Sequence, residues 1–252
     1  MAHLLERAGS HPEPKNLRVP QLLACVEDPR LSRIGYIFRR PGVDMMPITL
    51  RALLDSGPTK VPKLGQRYAL ALSLGRSVMQ LHASGWLHKG LHSSKVLFFS
   101  SSQQNQPVAL DTIDISQPWL LGFEYARPDA EAEATESLIS YSPEHDLYRH
   151  PASIKAVGAA NPVTDRYRRE FDVYALGCML IEIGLWTPIK TFWKDRYGTE
   201  EFRKRLLQNY AKLLGSRCGA RYQRAVEFCL RGMEEGGDRY TENKKDKGLK
   251  RS

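Results

Sequence analysis

The sequence is poor in cysteine and has no long uninterrupted apolar run. Its 252 residues include four cysteines, Cys25, Cys178, Cys218 and Cys229. No pair has the C-x-x-C spacing of a zinc or redox motif. Cys178 and Cys229 lie in apolar, helix-like text, where a reduced core thiol is the expected role. A reducing, intracellular and cytoplasmic setting is therefore the expectation. The longest apolar run, residues 173–186, has 14 residues and contains Glu182. It is too short and too charged to span a bilayer, so no transmembrane segment is expected. Charges and prolines break up residues 1–22, which argues against a secretory signal there. No internal repeat is apparent.

What is present suits a globular domain. The chain is 42% hydrophobic and 26% charged, enough apolar content for a core without covalent staples. The net charge of +9 is unevenly spread. Residues 239–252 carry six Lys/Arg against two acids, whereas residues 127–146 carry one Arg against six acids. The basic tail, residues 236–252, has almost no apolar content and is expected to be disordered. Its plainest role is a solvated terminus, with nucleic-acid or anionic-membrane contact as the alternative. Aromatic residues do not alternate with the basic ones as single-strand stacking platforms would require.

Along the chain, a short amphipathic piece at residues 1–8 precedes a Pro-containing loop. Residues 19–26 and 33–39 read as two strands of a hairpin around a Glu27-Asp28-Pro29 turn. Residues 49–54 form a helical turn. Residues 64–83 form the first long helix, with Leu70, Leu74, Val78 and Leu81 at helical spacing and Gly85 just beyond its end. Residues 96–99 and 118–123 read as strands, separated by a polar loop at residues 100–106. The acidic stretch 128–143 is expected to be mobile. Residues 171–185 are apolar on nearly every side, the mark of a helix buried at a domain centre. Residues 200–214 and 222–233 are two further helices with basic outer faces.

Four landmarks occur in one order. Gly85-Trp86-Leu87-His88-Lys89-Gly90-Leu91-His92-Ser93-Ser94-Lys95-Val96-Leu97 follows the long helix. It resembles the catalytic loop of protein kinases, where His-Arg-Asp precedes an Asn and a strand. Trp119-Leu120-Leu121-Gly122-Phe123-Glu124 resembles the strand entering D-F-G. Tyr148-Arg149-His150-Pro151-Ala152 is similar to the Y-x-A-P-E end of an activation segment. Asp172-Val173-Tyr174-Ala175-Leu176-Gly177 is similar to the start of the buried large-lobe helix. Upstream, His11-Pro12 with residues 18–26 resembles the turn and strand after the small-lobe regulatory helix, and residues 33–41 resemble the next strand and hinge. The wording as a whole is similar to kinase-like domains of filamentous-fungal proteins.

The resemblance covers about residues 10–235 and implies an α+β, protein-kinase-like fold. Residues 1–41 would be the remnant of the small N-lobe and hinge, a truncated hairpin. Residues 42–235 would be the mostly helical C-lobe, and residues 236–252 the tail. His88 and Phe123 would be the two large-lobe members of the hydrophobic spine. Asp172 would be the buried helix-start Asp that accepts from the catalytic-loop backbone, with good N-cap chemistry.

The departures fall on the chemistry. Phosphoryl transfer depends on positioning and charge neutralisation. Gly90 stands where the family has its proton-accepting Asp, a group worth about 10²- to 10⁴-fold in rate. Lys95 replaces the Mg²⁺-holding Asn, and Gly122 replaces the Mg²⁺-holding Asp of D-F-G. Ala152 replaces the Glu of A-P-E. No glycine-rich phosphate loop or V-A-I-K lysine precedes the hairpin, and Glu6 is the nearest candidate for that lysine's partner. Glu124, Lys89 and Lys95 could offer substitutes, but solvent-facing charge is the plainer reading of Glu124 and Lys95.

The expectation is thus a catalytically inactive pseudokinase, a binding or scaffold module with protein partners and no cofactor. The alternative is a divergent or truncated ATP-dependent Ser/Thr protein kinase using ATP and Mg²⁺. A third reading is a basic nucleic-acid or membrane-surface binder.

Overall fold

The structure, a computed structural model, describes residues 18–30, 33–42, 44–57, 61–101, 110–129, 143–155 and 167–232. The readings of residues 1–8, Glu6, His11-Pro12, most of the polar loop, the acidic stretch 130–142 and the basic tail lie outside them. The fold is α+β, with small antiparallel sheets early in the chain and helices later. The chain divides into two compact units, residues 1–133 with 186–188, and residues 134–185 with 189–252.

The first unit opens on the expected hairpin, β1 (Leu22–Asp28) antiparallel to β2 (Arg33–Phe38). Pairing runs from Leu22 opposite Phe38 to Asp28 opposite Arg33, with an irregularity between Leu22 and Ala24. Leu23, Val26 and Ile37 are all exposed, so the ribbon buries little of its own apolar surface. β3 (Met46–Thr49) leads directly into α1 (Leu50–Asp55), where the Thr49 hydroxyl accepts from the Ala52 N–H as an N-cap. β3 was not expected from the sequence, and Pro47 lies within its four residues.

α2 spans Leu64–Ala83, as its periodicity predicts. Leu70, Leu74, Val78 and Leu81 face inward, and Gly85 follows at φ +75, a left-handed turn that glycine adopts without strain. β4 (Trp86–Leu87) pairs with β7 (Arg127–Pro128). β5 (Val96–Ser100) is central between β3 and β6 (Trp119–Leu120). The predicted strand 118–123 is thus shorter than expected: Gly122 turns left-handed and Phe123–Tyr125 coil into a 3-10 turn.

In the second unit, α3 (Pro143–Asp146) and α4 (Pro151–Lys155) precede α5 (Arg169–Leu185). Thirteen residues of α5 are buried, which explains why its sequence lacks a polar face. The Asp172 carboxylate is fully buried and accepts from the Tyr167 hydroxyl at 2.9 Å. The helix already begins at Arg169, so Asp172 lies within its first turn and the expected N-cap role is corrected. Glu182, also fully buried, accepts from the Tyr148 hydroxyl and the Ile189 N–H, both at 2.8 Å. His150 stacks on Phe171 at 5.0 Å and meets Tyr174 edge-on. Burial, with Arg203 and Arg168 nearby, pushes its pKa down from 6.5 to about 4.

The helix expected over residues 200–214 is interrupted. α6 (Thr199–Arg205) passes through a π turn, Leu206–Tyr210, into α7 (Ala211–Cys218). α8 (Ala220–Arg231) packs against α5 and α7. Among the described residues, no helix is long and apolar enough to cross a membrane.

Candidate functional site

The first unit sews the loop after β4 to the loop after β6. The Leu121 N–H donates to the Lys95 carbonyl at 2.8 Å, next to the β5–β6 pairing of Val96 with Leu120. From the other side, His88 Nε2 meets the Leu121 carbonyl at 3.0 Å. His88 is fully buried, and the Gly90 N–H approaches its Nδ1 at 3.4 Å. These contacts fit one tautomer: Nε2 carries the proton and donates, and Nδ1 accepts. The ring of His88 lies 4.8 Å from that of Phe123, tilted by 46°. The sequence-selected pair is therefore in contact.

Lys89 has φ +67, a left-handed backbone that costs a non-glycine residue roughly 1–2 kcal/mol. Its neighbour Gly90 has room. A Cβ there would lie 3.4 Å from the Tyr125 ring and 3.9 Å from the Gly122 carbonyl, both ordinary contacts. Gly122 differs. At φ +90 its backbone favours glycine, and a Cβ would lie 2.6 Å from Lys95 Cδ and 2.8 Å from Lys95 Cγ. The aliphatic stem of Lys95 thus covers the face of Gly122.

Beyond that stem, the Lys95 ammonium donates to Glu124 Oε1 in a close ion pair. Both side chains keep contact with solvent, and they also face each other. Burial pushes the Glu124 carboxyl up, but hydrogen bonding and the charge of Lys95 outweigh it and hold its pKa below the ordinary value. The Glu124 side chain is 40% exposed, so the pair adds only about 0–1 kcal/mol to stability. Among the described residues, no group of three or more His, Cys, Asp or Glu is arranged to hold a metal ion.

His88, Lys89, Gly90, Lys95, Gly122, Phe123 and Glu124 therefore come together in the first unit, whereas Asp172 belongs to the second. Sequence reasoning missed Tyr125, whose ring borders Gly90. It also missed the Tyr148–Glu182–Ile189 hydrogen bonds. A buried acid in an apolar helix, as at Glu182, was the available signal for the latter.

A family profile described as a domain of unknown function, DUF7580, matches residues 38–247. The chain belongs to the DUF7580 family. The DUF7580 match thus takes in β3 to β7, all of α1 to α8, and every candidate residue above. No curated protein matches the chain. Among solved structures, this DUF7580 chain is similar to one in the crystal structure of the yeast RNA Pol II CTD kinase CTDK-1 complex. Identity is 18% and the TM-score 0.48, over 82% of this chain and 56% of that one. The chain spans little more than half the length of that neighbour.

Proposed function

We propose that this DUF7580 chain is a kinase-like domain without phosphotransferase activity, serving as a protein-binding scaffold. One observation carries the reading: the stem of Lys95 fills the space over Gly122 while its ammonium closes on Glu124. Mg²⁺ requires oxygen ligands in near-octahedral array. The residues here do not fit it. Position 95 offers an ammonium, position 122 offers no side chain, and the nearby carboxylate of Glu124 is already paired with a cation. A retained transferase would have to release Glu124 from Lys95 and find another proton acceptor for Gly90.

The contacts of His88 with Leu121 and Phe123 support the other half of the proposal. They hold the two loops in register without any chemical step, as a scaffold requires. In this reading His88 and Phe123 are structural spine residues.

Isothermal calorimetry with ATP, with and without Mg²⁺, tests the proposal. No Mg²⁺-dependent heat is expected, and radiolabelled phosphate should not pass to a Ser/Thr peptide. Micromolar ATP affinity that requires Mg²⁺, or phosphate transfer abolished by Glu124→Gln, would establish the divergent-kinase reading instead.

A further inference from the structure

α2 has a second face that the core does not use. Leu70, Leu74, Val78 and Leu81 point inward, yet Tyr68, Leu72 and Met79 are exposed, Leu72 at 55% and Met79 at 72%. With Arg76 these residues fall at steps of four, four and three, which places them in one line along the helix. An apolar stripe on a helix that already buries its opposite side calls for an explanation other than folding.

Beside the stripe is a cleft of about 260 Å³ whose lining includes Arg18, Leu72, Ser73, Arg76, Ser116 and Gln117. Arg18 is held rigidly. Its Nε donates to the Pro118 carbonyl at 3.2 Å, its guanidinium lies 5.0 Å over the Trp119 ring, and its backbone carbonyl accepts from the Leu120 N–H. Burial pulls the Arg18 pKa down, partly offset by Asp114. Asp114 is the carboxylate near the cleft, and its Oδ1 is held by the Ser116 N–H and hydroxyl. Arg76 makes no hydrogen bond or ion pair among the described residues. Two guanidiniums thus border one small concavity with one carboxylate, Asp114, beside them, and that carboxylate already accepts from Ser116.

We infer that the outer face of α2 and the Arg18–Arg76 cleft form a docking surface for an acidic amphipathic segment of a partner protein. One anionic side chain enters the cleft between the guanidiniums, and apolar side chains lie along Tyr68, Leu72 and Met79. Charge complementarity selects this occupant. An anionic membrane surface is drawn to clusters of four to eight basic residues, as a rule of thumb, whereas this face presents two arginines with Asp114 beside them. The concavity also suits a single side chain better than a plane of headgroups. The inference rests on the scaffold reading but fails separately from it: the ATP titration tests that reading, and a peptide titration tests this one.

The probe is a fluorescein-labelled synthetic peptide with Leu at helical spacing and Glu between, titrated with the full chain by fluorescence anisotropy. Saturable binding is expected, lost when Lys replaces each Glu. Arg76→Glu and Leu72→Ser should each weaken it about tenfold, as removal of one charged hydrogen bond or one apolar anchor does. Both positions are exposed, and an unchanged thermal melt verifies the fold; Arg76→Gln stands in if Arg76→Glu melts early. The inference is overturned by no saturable binding, equal binding of the Lys analogue, indifference to Arg76→Glu, or capture of phosphatidylserine vesicles with the same dependence on Arg76 and Leu72. Tighter peptide binding after Glu131, Glu133 and Glu136 are changed to Gln would reassign the cleft to the chain's own acidic stretch and likewise overturn it.

Discussion

Gly90 and Gly122 occupy neighbouring loops and both lack a carboxylate, but their surroundings are opposite. A side chain at Gly90 would meet only the Tyr125 ring and a carbonyl at ordinary distance. A side chain at Gly122 would meet the stem of Lys95 and need a left-handed backbone besides. The first loop leaves space at its glycine. The second offers no such space, because the stem of Lys95, distant in the chain, fills it.

The largest test of that difference is Gly122→Asp. Overpacking against Lys95 and the positive φ should together cost about 2–4 kcal/mol in denaturant unfolding. Lys95→Asn in the same chain should return part of that loss; no recovery would mean the two positions are not coupled. Next comes His88→Ala, which removes a contact shared by both loops and leaves the partly buried Leu121 carbonyl without its His88 donor. A loss of about 2–3 kcal/mol is expected, and an unchanged melting temperature would remove His88 from the buried framework.

A third measurement checks that such effects stay local. His150, in the other unit, has its pKa depressed to about 4. The unfolded chain therefore binds the extra proton first, and the associated stability is present above pH 6.5 and lost as pH falls toward 4. His150→Gln should flatten this decline, and Gly122→Asp should leave it in place. A smaller effect is expected from Lys95→Met, which frees Glu124. In the wild type the lowered carboxyl pKa contributes stability above the ordinary Glu range, lost as pH falls through the folded value. NMR titration should show the Glu124 pKa rising in the variant. The smallest change is Gly90→Asp, expected within about 0.5 kcal/mol of wild type; a large loss would erase the contrast between the two glycines.

Much of this was legible in the sequence where one local signal dominates. α2 followed its apolar spacing from Leu64 to Ala83, α5 followed its all-round hydrophobicity, and β1 and β2 followed alternation around a turn. The His88–Phe123 contact came from the order of motifs. What stayed hidden depends on distant partners. β3 forms because β5 supplies its hydrogen bonds, despite Pro47. The Lys95–Glu124 pair and the burial of Gly122 under Lys95 need the β5–β6 register, which no local spacing encodes. Asp172 looked like a cap because the polar text before it obscured a helix start three residues earlier.

The π turn at Leu206–Tyr210 has a consequence for how the chain length can vary. Buried positions in this stretch run Phe202, Leu206, Ala211, Leu214 and Cys218, and the one five-residue step coincides with the wide turn. In a regular helix each residue advances about 100°, so that step would swing Ala211 off the packed side. The turn works as a phase correction for one surplus residue. Removing the exposed Asn209 should let an unbroken helix present the same inward face, with the Phe192–Tyr210 stack at 4.1 Å the contact most disturbed.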